Sequence, residues 1–182
     1  MAKKIVVLTG SPRTKGNTFM LTDAFMDAAK EQDVEVVRFD AARMKVDTCF
    51  GCETCFKNGM PCSFDDDFNG FAREIQTADG LLFAFPLYWY TMPAKFKAVF
   101  DKLYCFYTTG RCRGLEWGLI CCCGWPEASI MDGMKITMNR SANAMNWHFV
   151  GEVIVPNVNN PGDVAGTPAI EQARALVKAF IN

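Results

Sequence analysis

Apolar positions recur along this chain with two alternating periods. Short continuous runs, rich in β-branched or aromatic residues, lie at 5–9, 34–39, 80–85, 118–123 and 149–155. Runs without polar alternation suit strands covered on both faces, as in parallel sheets. Between them the spacing shifts to three and four. Leu21, Ala24, Phe25, Ala28 and Ala29 form one helical stripe; Phe68, Phe71, Ala72 and Ile75 form a second; Phe96, Val99, Phe100 and Leu103 form a third. Met134, Met138 and Met145 mark a weaker stripe within 130–147. A last helix is expected with Thr167 as its N-cap and Pro168 in its first turn, burying Ala173, Leu176, Val177, Phe180 and Ile181. Five strands alternating with five helices predict an α/β fold on an open parallel sheet, one domain spanning residues 1–182. Ligands of such sheets collect beyond the carboxyl ends of the strands, near the point where strand order reverses. The residues that follow each strand are therefore the candidates for function.

Composition narrows the class. Half of the 182 residues are apolar and 13% are aromatic, enough for a sizeable core and too much for a disordered segment. Nineteen Lys and Arg oppose twenty Asp and Glu, and no stretch concentrates the cations, which argues against nucleic acid or an acidic membrane as partner. The apolar segment after Lys4 is too short for a secretory leader, and Leu81–Tyr90 and Leu115–Cys123 are too short to span a bilayer. A cytoplasmic protein is expected. In that reducing compartment nine cysteines point to metal, redox or core roles rather than to structural disulfides.

The loop after the first strand, Gly10-Ser11-Pro12-Arg13-Thr14-Lys15-Gly16-Asn17-Thr18, combines glycine, hydroxyls and two cations with no acid. Free N–H groups at a helix N-terminus, hydroxyl donors and a cation are what a phosphate requires. A Walker loop is excluded, because five residues rather than four separate Gly10 from Gly16 and Asn17 replaces the lysine; the G-x-G-x-x-G fingerprint is absent. A plain strand–helix turn is the competing reading. The pattern G-S-P-R-x-x-G-N-T resembles the phosphate loop of the flavodoxin-like NAD(P)H-dependent FMN reductases and iron–sulfur flavoproteins. That resemblance implies that Ser11, Arg13, Asn17 and Thr18 hold the phosphate of FMN and that Gly16 shapes the loop. It also implies a flavodoxin-like three-layer sandwich with strand order 2-1-3-4-5.

After the third strand come Phe85-Pro86-Leu87-Tyr88-Trp89-Tyr90-Thr91-Met92-Pro93. Three aromatics in a row within a proline-bounded turn offer flat faces and backbone donors, which an isoalloxazine ring uses. The same family carries P-x-Y-W, then a methionine, then K-x-F-x-D; here these are Pro86-Leu87-Tyr88-Trp89, Met92, Lys97, Phe100 and Asp101. The resemblance implies that Pro86, Leu87, Tyr88, Trp89 and Met92 border the flavin. Tyr90 stands where many relatives have a small residue, which narrows access to the ring. After the fourth strand, Gly124 and Trp125 are placed to close the pocket from the other side, though a surface turn explains them equally well.

Cys49, Cys52 and Cys55 are each two residues apart and Cys62 follows after six more, in a stretch that Gly51, Gly59 and Pro61 mark as a loop. Four thiols at this pitch suit a cuboidal iron–sulfur cluster or a tetrahedral zinc. The resemblance implies a [4Fe–4S] cluster; zinc, or thiols without metal, remain open on the residues alone. Cys121–Cys123 read as small core residues of an apolar strand, and the spacing of Cys105 and Cys112 assigns them no role. His148 reads as structural and Asp65–Asp67 as helix capping. Residues 157–162 read as a turn at the rim of the pocket.

The expected function is an FMN-dependent oxidoreductase taking electrons from NAD(P)H, with a small molecule or protein as acceptor and no classical acid–base residue. One alternative is an iron–sulfur flavoprotein served by a ferredoxin-like donor. Another class, a zinc-stabilised or anion-binding module without activity, leaves the first and third loops unexplained, and no acidic pair or phosphorylatable aspartate stands where a receiver domain needs one. The large apolar residues of 89–107 favour a homodimer or higher homo-oligomer.

Overall fold

The computed structural model describes residues 3–58 and 62–181, apart from the side chain of Thr108; Met1, Ala2, Asn182 and the loop positions Gly59 and Pro61 lie outside the described residues. Five strands, β1 (Lys4–Thr9), β2 (Glu35–Asp40), β3 (Gly80–Pro86), β4 (Glu116–Cys122) and β5 (His148–Val155), form one sheet of order β2-β1-β3-β4-β5. Every neighbouring pair is parallel, with Ile5 between Val36 and Gly80 in register. The order expected from the resemblance is the order found.

Strand side chains alternate between two cores. Val6, Leu8, Leu81, Phe83, Phe85, Trp117, Leu119 and Cys121 face α3 (Phe68–Ile75), α4 (Ala94–Lys102), α5 (Tyr104–Thr109) and α6 (Asp132–Ala144). Ile5, Val7, Leu82, Ala84, Ile120 and Cys122 face α1 (Asn17–Lys30), α7 (Pro168–Ala175) and α8 (Val177–Ile181). Both faces are covered, which explains the unbroken apolar runs. Glycine is required where a helix crosses the sheet closely: a Cβ on Gly80 would lie 2.6 Å from the Phe180 ring.

Several expectations need correction. The cysteine-rich segment is not wholly a loop, since Thr54–Asn58 form a short helix, α2. The last helix breaks at Leu176 into α7 and α8. Thr167 does occupy the N-cap of α7, but its hydroxyl donates to the Val164 carbonyl (2.8 Å) instead of capping. Asp66 rather than the whole acidic triplet serves the start of α3, accepting from the Phe68 N–H at 3.0 Å.

Sheet order reverses between β1 and β3, because the chain moves outward from β1 to β2 and then returns to continue through β3, β4 and β5. The crevice at the carboxyl ends of these two strands is the topological switch point of an open α/β sheet.

Candidate functional site

A pocket of about 320 Å³ opens at that switch point, lined by Ser11, Arg13, Gly16, Asn17, Thr18, Pro86, Leu87, Tyr88, Cys122, Cys123, Gly124 and residues 158–161. Its floor begins at Gly10, whose N–H donates to the Ala84 carbonyl (2.8 Å) and whose Cβ, if present, would lie 2.8 Å from that of Phe85. The chain can turn here only against bare backbone. Ser11 is buried and its hydroxyl accepts the Arg13 N–H at 3.2 Å, while Gly16 donates to the Arg13 carbonyl at 3.0 Å. Gly16 is the N-cap of α1 and offers no side-chain cap, and the first turn holds no acid. The orphan N–H groups of a fourteen-residue helix therefore face the pocket with their share of the macrodipole. Arg13 makes no ion pair among the described residues, and no lining residue is acidic. This donor set, an uncapped helix start, a buried hydroxyl and an uncommitted guanidinium, fits a dianion.

The opposite wall is the segment leaving β3. Leu87 donates to the Cys122 carbonyl at 2.8 Å, which carries the sheet pairing one residue further. Tyr88 and Thr91 then exchange backbone hydrogen bonds of 2.8 and 3.0 Å around Trp89 and Tyr90, both at positive φ (+47° and +64°). This is a two-residue hairpin of the primed kind, a turn that normally selects Asn and Gly.

Nine of the twelve residues expected to hold the cofactor line this pocket: Ser11, Arg13, Gly16, Asn17, Thr18, Pro86, Leu87, Tyr88 and Gly124. Three do not. Trp89 stands at the hairpin tip, 92% exposed; Met92 is buried in the core under α4; Trp125 points outward and donates from Nε1 to Glu127 at 2.6 Å. Cys122, Cys123 and the 158–161 segment complete the lining. The signal for the cysteines was present, since a strand's last residues belong both to its core and to its crevice. Burial pushes the Cys122 thiol up to about 12, with the Thr18 hydroxyl pulling the other way.

The cysteine-rich segment makes a second, apolar pocket. Cys49, Cys52, Cys55 and Cys62 line it together with Phe50, Phe56, Phe64, Lys102, Tyr104 and Cys105. The Thr54 side chain and backbone, followed by Ser63, bring the Cys52 thiol down to about 7, whereas burial and then Cys62 raise that of Cys55. The four expected ligands are thus neighbours of one cavity, and Cys105 joins them from α5. Their donor chemistry suits a cluster, but among the described residues no three Cys, His, Asp or Glu groups are arranged to hold a metal ion. The thiols as placed are gathered without forming a cage. Among the described residues no helix is long and apolar enough to cross a membrane.

Comparison with known proteins gives a consistent picture. Residues 3–155 match the sequence profile of NADPH-dependent FMN reductases. An iron–sulfur flavoprotein of Methanocaldococcus jannaschii is 29% identical over 99 residues, 54% of this chain and 51% of that protein, so the chain spans about half the length of the curated relatives it matches. Among solved structures, the NAD(P)H:quinone oxidoreductase of Methanothermobacter marburgensis superposes with a TM-score of 0.82 at 21% identity, covering 100% of this chain and 98% of that one. An FMN-dependent NADH-azoreductase of Bacillus anthracis, solved with FMN, gives 0.73 at 15% identity over 99% and 100% of the two chains.

Proposed function

Because this chain belongs to the family of NADPH-dependent FMN reductases, we propose that its switch-point pocket holds FMN and that the protein passes electrons from NAD(P)H to a small acceptor. The carrying observation is the uncapped, acid-free start of α1 beside the unpaired Arg13, facing the segment Pro86–Tyr88 across one crevice. In this reading the α1 amides, Ser11, Thr18 and Arg13 bind the phosphate. Pro86, Leu87 and Tyr88 border the ring, with Gly124 leaving room for it on the β4 side. Bound FMN supplies the hydride chemistry; the protein's residues orient it, exclude water from one face and leave the other open. In this reading nicotinamide and acceptor take turns over the same open face.

A second reading is favoured by the shared thiol pocket and by relatives named iron–sulfur flavoproteins. Here Cys49, Cys52, Cys55 and Cys62 rearrange to hold a [4Fe–4S] cluster, and the donor is a ferredoxin-like protein. Iron and acid-labile sulfide in anaerobically purified protein separate the two readings. The exposed Trp89, Tyr90, Tyr104 and Tyr107 support a homodimer, which light scattering tests.

The direct test of activity is NAD(P)H oxidation by FMN-loaded protein with a quinone or free flavin as acceptor. Turnover that requires bound FMN supports the proposal. A protein that takes up FMN yet oxidises neither nicotinamide contradicts it.

A further inference from the structure

Asn17 is the first residue of α1 and stands in the loop that the family resemblance assigns to the phosphate. Its side chain is turned elsewhere. Oδ1 accepts the N–H of Gly162 at 2.9 Å and that of Val164 at 3.4 Å, and Nδ2 donates to the Asn160 carbonyl at 2.9 Å. An asparagine amide offers two acceptor and two donor positions. Three of the four thus serve the connection between β5 and α7, more than 140 residues away in sequence.

That connection is one wall of the pocket, since Val158, Asn159, Asn160 and Pro161 all line it. Little else fixes the wall. Its first residues extend β4: Val158 donates to the Cys123 carbonyl at 3.0 Å, and Asn157 to that of Trp125 at 2.8 Å. Its turn is closed internally by Asp163, whose Oδ2 accepts from Asn159 and Asn160 at 2.7 Å each. Gly162 takes a positive φ of +94°, and Val164 is buried in the core. Between these two anchors the only side chain from the phosphate loop that grips the wall, among the described residues, is Asn17.

We propose that Asn17 is a positioning residue that fixes the 158–161 wall against the start of α1, and that it sets affinity for the flavin as a whole rather than for its phosphate. The proposal rests on the FMN reading of this pocket. Phosphate recognition falls to Arg13, Ser11, Thr18 and the α1 amides; among the described residues none of their side chains bonds the 158–161 wall, the Thr18 hydroxyl meeting the Cys122 thiol instead. Losing Asn17 leaves those donors in place but releases the opposite wall, so every flavin that touches the wall is affected alike.

FMN and riboflavin differ only in the phosphate, so their affinities for the apoprotein, read by quenching of flavin fluorescence, separate the roles. Asn17→Ala is expected to weaken both flavins by a similar factor, about tenfold, with their affinity ratio unchanged. Asn17→Asp keeps both accepted bonds, loses the donation to the Asn160 carbonyl and adds charge beside the phosphate site; it is expected to weaken riboflavin less than Asn17→Ala does, and FMN more than riboflavin. This variant carries the test if the alanine variant does not fold. The proposal is overturned if Asn17→Ala weakens FMN alone, which makes Asn17 a phosphate ligand, or if it changes neither affinity. It is also overturned if Asn17→Asp weakens riboflavin as much as FMN. Failure of the unaltered protein to bind either flavin would instead remove the FMN reading itself.

Discussion

The ammonium of Lys102, at the end of α4, is buried against the carboxylate of Asp66, with side-chain exposures of 1% and 9%. The same carboxylate accepts the N–H of Asp47 at 3.1 Å and of Phe68 at 3.0 Å, so it ties both legs of the cysteine-rich segment to the core. The rings of Phe64 and Phe68 flank the cation at 5.5 and 5.8 Å. Removing one member leaves the other charged and dry. Asp66→Asn is expected to destabilise the fold by about 3–5 kcal/mol, measured by urea unfolding, and to make the half-buried Cys55 and Cys62 more accessible to thiol reagents. A loss below about 1 kcal/mol would show that water reaches the pair.

At the crevice floor, Gly10→Ala would press a methyl group 2.8 Å from Phe85 Cβ and 2.9 Å from the Phe96 ring. Both neighbours are buried and belong to β3 and α4, so neither yields cheaply. The expected cost is about 1–3 kcal/mol from overpacking, together with weakened FMN binding as the Ser11–Arg13 turn shifts. Gly124→Ala differs, because the one close approach of its new Cβ is to Asn159 Oδ1, the movable end of an exposed side chain, at 2.5 Å, with the Val158 carbonyl at an ordinary 3.8 Å. Its melting temperature should stay near that of the unaltered protein while FMN affinity falls. Thermal melts and flavin titrations of the two variants check both statements.

Much of this was legible before any coordinates. Covered strands read as continuous apolar runs, and the loops after β1 and β3 carried chemistry unusual for turns, so the fold class and most of the pocket followed, while the strand order came with the family resemblance those loops carry. What escaped depends on direction rather than residue type. A motif places Trp89 and Met92 near a ring, and position after β4 alone suggests Trp125, but only the backbone decides that a primed hairpin turns Trp89 to solvent and that Met92 enters the core. Long-range partners were equally silent: nothing around residues 157–162 reveals that Asn17 lies opposite, and nothing about Lys102 reveals Asp66.

Trp89 and Tyr90 both adopt the left-handed region, where a side-chain-bearing residue is disfavoured by roughly 1–2 kcal/mol. Replacing them with the residues this turn prefers, Trp89→Asn with Tyr90→Gly, should raise stability by about 1–2 kcal/mol in chemical denaturation. Acceptor turnover should fall, since the replaced rings stand at the lip next to Tyr88. A variant both more stable and fully active would show that the aromatic tip has no part in catalysis.

Acid sensitivity should reside partly in Asp40, at the end of β2. Burial raises its carboxyl, but the hydroxyl of Thr9 (2.6 Å) and the guanidinium of Arg38 (2.8 Å), with Arg43 beyond, outweigh it and hold the group below its ordinary value of 3.8. A carboxyl depressed in the folded state gives stability that is complete above the unfolded value and is lost as pH falls through the folded one. The urea midpoint should therefore drop on acidification below about pH 4, and Asp40→Asn should be less stable at neutral pH with a shallower acid limb. An acid limb identical in the two proteins would assign the sensitivity elsewhere.

The account depends on a phosphate held at the start of α1, and flavin discrimination by Arg13 tests it most directly. Titrating apoprotein with FMN and with riboflavin, the unaltered chain should bind FMN about tenfold to a hundredfold more tightly, and Arg13→Ala should narrow that gap, leaving the share held by Ser11, Thr18 and the α1 amides. Equal affinities in the unaltered chain, or a preference for FMN left unchanged by Arg13→Ala, would contradict it.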